Sequence, residues 1–367
     1  MFFLIYNYIN TSNCIINVLR YTSFRIAIAF LTSLLLTIFI FPYFIKKLKT
    51  MKINQRIRNN ALKKHLKKSK TPTMGGLLIL ISLSISVLLW ADLSHIGIWL
   101  LLFLTLSFGF IGFYDDYKKI QYKNSNGISA KKKLLLLSII SIITLTIYSL
   151  NFKSSPFSTI LIVPFIPIQE FKLILPIWIY LLFALFLIIA TSNSVNITDG
   201  LDGLAIGPII ISAFIFLFLS YITGNAFTNF KVNNYLYILE SKHISELGIF
   251  CAAIIGSGIG FLWYNAYPAL IFMGDVGSLS LGGALGLLAI LTKNELLSGL
   301  LHGLFAIEAL SVIIQIFCYR ILNKRIFKMA PIHHHFELSG CPESRIVMRF
   351  WIFSVIFALL ALSSLKW

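Results

Sequence analysis

The chain is predicted to be an all-α, polytopic integral membrane protein with about ten transmembrane helices, and three observations carry that expectation. Of its 367 residues, 58% are hydrophobic and only 12% charged, with a mean hydropathy of +0.87. A domain facing water needs more charged surface than this. Apolar runs of about 17–25 residues recur along the whole length, each long enough at 1.5 Å per residue to cross a hydrocarbon core of about 30 Å. The basic residues, finally, fall into alternate connections, the pattern that orients a multi-pass protein.

Taken in order, the runs cover roughly 24–45, 74–91, 96–113, 134–150, 173–190, 203–222, 247–263, 277–292, 300–319 and 346–365. Residues 1–23 have neither a basic leader region nor a small-residue cleavage site. They read as a retained interfacial stretch, which leaves 24–367 as one ten-helix domain. Connections 46–73, 114–133 and 320–345 contain eleven, six and five Lys plus Arg, whereas 191–202 and 264–276, on the same side, contain none. The opposite set, with both termini, holds seven. The first set is therefore expected in the cytoplasm and both termini outside. The net charge of +18 is mainly this topology signal, with anionic lipid or a phosphorylated ligand as a second use. No aromatic-interleaved basic module accompanies it, so nucleic acid is not an expected partner. Cys14, Cys251, Cys318 and Cys341 are scattered without a CxxC pair, and no disulfide framework is expected.

Five of the six aspartates fall in the lysine-bearing set of connections or at their helix ends, with Asp92 the exception. Aspartate contributes little to membrane orientation, so topology does not explain the clustering; a shared binding surface does. In Gly112-Phe-Tyr-Asp-Asp-Tyr-Lys-Lys119, adjacent aspartates on a helix point about 100° apart. Asp115 and Asp116 are therefore expected to divide their tasks, one holding a metal or reacting group and the other oriented by Lys118 or Lys119. A solvated helix end with ion pairs is the plainer alternative. In Asn193-Ser-Val-Asn-Ile-Thr-Asp-Gly-Leu-Asp-Gly-Leu204, Asp199 and Asp202 share a face if helical, and no nearby Lys or Arg compensates them. A cation or a ligand donor is the expected partner, with capping of the following span as the alternative. The sequon Asn196-Ile-Thr198 lies on the cytoplasmic side and is not read as glycosylated.

Asp275, between Gly274 and Gly277, opens the eighth span, where free N–H groups suit an anion and Asp275 itself is a candidate cap. Three consecutive histidines in Pro331-Ile-His-His-His-Phe-Glu337 do not readily converge on one tetrahedral zinc, and hydrogen bonds or phosphate contacts are the better reading. His65, Lys67, Lys68 and Lys70 precede Thr71-Pro-Thr-Met-Gly-Gly76 and offer point charges for phosphate, or simply solvated positive charge. The glycines at 256, 258, 260, 282, 283 and 286 read as helix-packing surfaces. Glu308, inside the ninth span, is a candidate functional residue without an evident partner. Carboxylates, lysines and glycine-rich turns on one membrane face point to phosphate chemistry with a hard divalent ion such as Mg²⁺.

The blocks Thr71–Gly76, Gly112–Tyr117, Asn196–Gly203, Phe272–Ser278 and Pro331–Glu337 occur in one order from about residue 24 to the C-terminus. Together they resemble the phospho-N-acetylmuramoyl-pentapeptide transferase (MraY) family, within the polyprenyl-phosphate N-acetylhexosamine-1-phosphate transferases. The resemblance implies transfer of phospho-MurNAc-pentapeptide from its UDP carrier to undecaprenyl phosphate, giving lipid I and UMP in a bacterial cytoplasmic membrane. It implies Mg²⁺ on Asp275 with Asp115, and Asp115, Asp116, Asp275 and His333 as the catalytic set. Gly200, Leu201, Asp202, Asn265 and Phe272 match its uridine pocket, and Lys68, Lys119 and Lys133 its phosphate-side lysines. Asn193, Asn196, Asp199, His334 and His335 are further substrate-side positions. Direct attack by the lipid phosphate is favoured over a phospho-enzyme, because a phosphate monoester with a second pKa near 6 is mostly dianionic at neutral pH. The chain departs from the family at Ala61–His65 and Lys70, where Gly-Pro and Gly are usual, which loosens the register of Lys68. A UDP-GlcNAc-using sibling and, in a different class, a transporter or flippase are the competing readings, and a homodimer is an open assembly.

Overall fold

The computed structural model describes residue 2 and residues 18–51, 71–122, 127–151, 159–166, 171, 173–224 and 244–366. Lys68, His65 and most of the expected interfacial stretch 1–23 lie outside the described residues. Among these residues, twelve helices follow a short 3-10 turn at Val18–Arg20. They are α1 (Thr22–Thr50), α2 (Gly76–Trp90), α3 (Ile96–Gln121), α4 (Ala130–Asn151), α5 (Ile177–Thr198) and α6 (Ile206–Gly224), then α7 (Leu247–Asn265), α8 (Gly274–Leu291), α9 (Glu295–Leu301), α10 (Gly303–Leu322), α11 (Ile332–Leu338) and α12 (Glu343–Ser363). Among the described residues, nine helices are long and apolar enough to cross a membrane, and α2 is a shorter apolar tenth. Each of these ten overlaps one predicted run, so the chain is an all-α, multi-pass membrane protein.

The boundaries differ where polar residues continue a helix that lipid does not require. Helix α3 runs eight residues past its apolar run, from 113 to Gln121, carrying Asp115, Asp116 and Lys119 on its last turns. Helix α5 likewise carries Asn193 and Asn196 before it ends at Thr198. The fifth run was expected to start at 173, but residues 173 and 174 pair instead as an antiparallel two-stranded hairpin, Ile160 against Ile174 and Leu161 against Leu173. Pro176 then occupies the N-cap of α5, where a residue without an N–H costs no helical hydrogen bond.

Helix α8 forms the centre. From Val276 to Leu291 every residue is buried, chiefly against α3 and α5. Small residues on its surface let neighbouring backbones close in, as lipid-embedded helices require: a side chain at Gly282 would strike the Ser192 backbone, and one at Gly286 that of Ile188. Helix α7 is sandwiched in the same way between α1 and α6. Peripheral helices instead expose Phe39, Phe110, Phe186 and Phe317, which suits a surface facing acyl chains. Away from this apolar packing, Arg25 of α1 donates to both carboxylate oxygens of Glu246, at 2.7 and 2.6 Å. Tyr180, Lys293 and Glu295 form a second buried polar group, with the Tyr180 hydroxyl 2.7 Å from Glu295 and the Lys293 ammonium 2.8 Å from that hydroxyl. The sequence did not announce either pairing.

Candidate active site

Three segments meet at the top of α8 through their backbones. The N–H of Gly75 donates to the carbonyl of Phe272 at 2.8 Å, that of Gly76 to Met273 at 2.9 Å, and that of Phe272 to Pro72 at 2.9 Å. A Cβ at Gly76 would overlap the backbone of Gly277, and one at Gly112 the carbonyl of Asp275. Gly274 adopts φ 74°, a conformation that disfavours any side chain. The glycines thus let α2, α3 and α8 touch directly and bring the carboxylates of α3 and α8 within reach of one another.

Oxygens of Asp115, Asp116 and Asp275 all lie within 4.8 Å of one another. The ammonium of Lys119 stands among them, 2.7 Å from Asp115, 2.9 Å from Asp275 and 3.4 Å from Asp116. Its position i+4 from Asp115 and i+3 from Asp116 explains how one side chain answers two aspartates that point apart on the helix. Lys133 of α4 adds a second ammonium, 2.8 Å from Asp275 and 3.7 Å from Asp115. Asn196 of α5 donates to Asp275 and to the Ser278 hydroxyl at 2.9 and 2.8 Å. The two adjacent aspartates have separate anchors: Ile128 N–H donates to Asp115, and the Asp275 backbone N–H to Asp116 at 2.9 Å. Lys118, the other lysine considered as an orienting partner, faces the Tyr122 ring instead.

Two expectations require correction here. Asp275 does not cap its helix: α8 starts at Gly274 with Met273 at the cap, and the Asp275 carboxylate turns to the lysines. A free N–H at this helix N-terminus takes the carboxylate of Asp116, so the anion it was suited to is supplied by the chain. Nor do Asp199 and Asp202 share a helical face. Helix α5 ends at Thr198, and Asp199 occupies the C-cap with ψ 50°. Asp202 accepts the Ala269 N–H at 3.0 Å while its own N–H donates to Glu343 at 2.9 Å. The Asp199 carboxylate, by contrast, has no hydrogen-bond or ion-pair partner among the described residues. Burial, with Asp275, Asp116 and Asp202 adding repulsion, pushes its carboxyl up to about 8.

Beside this cluster the 199–203 turn is fastened to the 265–272 segment. Asn265 accepts from Gly203 N–H at 3.0 Å and donates to the Ile271 carbonyl at 2.8 Å. Leu201 is buried with Leu204, Leu304, Ile346, Val347 and Phe350, so its backbone, not its side chain, faces outward. Phe272 is half-buried at the edge of this wall. Asn193 bonds back to the Ile189 carbonyl at 2.8 Å and makes no hydrogen bond to the carboxylates among the described residues. The three histidines diverge. His334 pairs with Glu337 at 3.0 Å and His335 accepts from the Lys328 N–H at 3.1 Å. His333 is fully buried, 3.1 Å from Glu308 of α10. Glu308 therefore has a partner that its sequence position alone did not reveal. The signal was present: an acidic residue inside a span, with a histidine block in the connection just beyond it.

A lipid-embedded helical fold with carboxylates and ammoniums gathered at one end defines a membrane transferase acting on phosphates. Residues 98–293 match the family described as Glycosyl transferase family 4, and residues 68–80 match phospho-N-acetylmuramoyl-pentapeptide-transferase signature 1. A phospho-N-acetylmuramoyl-pentapeptide-transferase from an Anaeromyxobacter species is 49% identical over 365 residues, covering 95% of each chain. One from Oleidesulfovibrio alaskensis is 48% identical over 355 residues, covering 96% of each, and one from Sorangium cellulosum is 46% identical over 356 residues, covering 96% of this chain and 95% of its own. The chain belongs to the phospho-N-acetylmuramoyl-pentapeptide-transferase family.

Proposed function

We propose that the chain transfers phospho-N-acetylmuramoyl-pentapeptide from UDP to undecaprenyl phosphate, yielding lipid I and UMP, in the cytoplasmic membrane of a bacterium. The carrying observation is the convergence of Asp115, Asp116 and Lys119 from α3, Lys133 from α4, Asn196 from α5 and Asp275 from α8 at one place. The lysine-rich connections support a cytoplasmic position for this face, with both termini outside.

The donor set suits Mg²⁺, since three hard carboxylate oxygens lie together and a magnesium site needs only one or two of them beside phosphate and water. The same pocket already accepts positive charge, as the two ammoniums show. Asp275 and Asp115 would hold the ion; when bound, it offsets the charge of the diphosphate and of the leaving UMP. Asp116, tied to the Asp275 backbone, fixes the relative placement of α3 and α8. Lys119 and Lys133 are free to swing from carboxylate to phosphate oxygens, because a lysine ammonium is a mobile point charge. A dianionic lipid phosphate then attacks the β-phosphorus directly; the α–β bridging bond breaks and its electron pair leaves on UMP. The backbone of residues 200–202, with Asn265 and Phe272, forms the wall against which uridine rests, Phe272 stacking on the base.

Radiolabel transfer from UDP-MurNAc-pentapeptide to undecaprenyl phosphate by the purified chain, with and without Mg²⁺, tests this reading. Metal-dependent lipid I formation is expected. Preference for UDP-GlcNAc would move the chain to a sibling activity, and flux across sealed vesicles without lipid I would overturn the enzyme reading.

A further inference from the structure

We propose that Glu308 is a positioning residue for this site: it holds the Nδ1–H of His333 and so presents Nε2 as a hydrogen-bond acceptor to the nucleoside of the donor substrate. The inference rests on the uridine-nucleotide reading above, and it adds a residue from inside a membrane span that belongs to no sequence block.

Glu308 and His333 are both fully buried, on different helices 25 residues apart, with Oε2 and Nδ1 separated by 3.1 Å. A carboxylate in such surroundings is costly without a donor, and a carboxylate can only accept. Burial lowers the basicity of His333 against the opposing pull of Glu308, which favours the neutral ring. A neutral imidazole has one N–H and one lone pair, and whichever nitrogen meets the carboxylate carries the proton. The Nδ1–H therefore belongs to Glu308 and the lone pair to Nε2.

That lone pair has no hydrogen-bond partner among the described residues. Nε2 lies against Gly200, where a Cβ would overlap it, and Gly200 itself is exposed. Its neighbours in the turn are committed elsewhere: Leu201 to an apolar cluster and Asp202 to the Ala269 N–H. The imidazole edge thus lies directly behind the pocket wall at Gly200, a position of that turn that carries no side chain. A uridine nucleotide supplies matching donors, the imide N–H of the base and the ribose hydroxyls.

The test uses UMP as probe on the full chain in detergent. Glu308→Ala is expected to weaken UMP binding about 10-fold, the range of one lost hydrogen bond. Glu308→Gln, whose amide oxygen still accepts from Nδ1, should recover most of that loss. N3-methyl-UMP and the two deoxy analogues should bind more weakly to the native chain, and the penalty for one of them should vanish in His333→Ala, identifying the donor group. Nitrogen NMR of labelled histidine should show His333 with an unprotonated Nε2 in the native chain and mixed tautomers in Glu308→Gln. Equal UMP affinity in Glu308→Ala and the native chain, or a protonated Nε2 in the native chain, overturns the proposal. If the native chain fails to bind UMP, the nucleotide reading falls, while the native tautomer still decides the Glu308–His333 assignment. Should Glu308→Ala not fold, Glu308→Gln and the native spectrum carry the decision.

Discussion

Replacing Lys119 by Met should make the carboxylate cluster bind Mg²⁺ more tightly while making it a worse catalyst. The Lys119 ammonium lies 2.7, 2.9 and 3.4 Å from three different carboxylates, so it occupies the space where a cation would be attracted. Holding a +1 and a +2 charge about 4 Å apart costs about 2 kcal/mol even at the dielectric of water. Removing the ammonium therefore strengthens Mg²⁺ binding by roughly 30-fold, and by more to the extent that the site is dry. The methionine keeps most of the apolar stem, so packing changes little. Without metal, three carboxylates remain with Lys133 alone, and the variant should unfold at a lower temperature in EDTA than the native chain. Thermal unfolding across a Mg²⁺ series and calorimetric titration read both effects, and lipid I formation reads the loss of the phosphate partner. Mg²⁺ affinity unchanged or weakened in Lys119→Met would refute the reasoning, because it would mean that the lysine and the ion do not compete for the same oxygens.

Four further outcomes are expected. Asp275→Asn removes the negative charge that faces Lys119 and Lys133 and one of the two oxygens that they and Asn196 use, and metal-dependent thermal stabilisation should disappear along with at least about 100-fold of transfer rate. Gly274→Ala forces a side chain into φ 74° and against Asp116; a loss of roughly 2–4 kcal/mol in reversible unfolding is expected. Arg25→Met leaves Glu246 buried with the Asp92 N–H as its one remaining donor among the described residues, and should cost about 3–5 kcal/mol, with transfer per folded molecule unchanged. Asp199, pushed from 3.8 to about 8, keeps in the folded chain a proton that the unfolded chain releases above pH 4. Its contribution to stability therefore falls as pH rises from about 4 to 8, and Asp199→Asn should flatten the unfolding temperature across that window.

The sequence displayed the ten spans because lipid permits little besides apolar helix, and that requirement repeats at a readable length. It also displayed Asp115, Asp116 and Asp275, since charged residues are scarce in such a chain and each one stands out. What it withheld are relations between distant segments. That Lys119 and Lys133 both converge on Asp275 depends on α3 and α4 crossing beside α8, which no local pattern encodes. The expected helical pairing of Asp199 with Asp202 failed because α5 terminates at Thr198, four residues short of Asp202, and Asp202 turns to the backbone N–H of Ala269. Glu308 was underrated for the same reason: its histidine lies beyond a connection of irregular structure, and only the fold returns it.

The direct contact of Gly76 with Gly277 and of Gly112 with Asp275 has a practical consequence for anyone wishing to alter what this protein accepts. Where main chains abut with no intervening side chains, there is no deformable padding to absorb a substitution, and the metal-side half of the pocket moves only if whole helices move. Latitude for redesign lies in the turn at 199–203 and the segment at 265–272, whose outward surfaces can be rebuilt without shifting those helices.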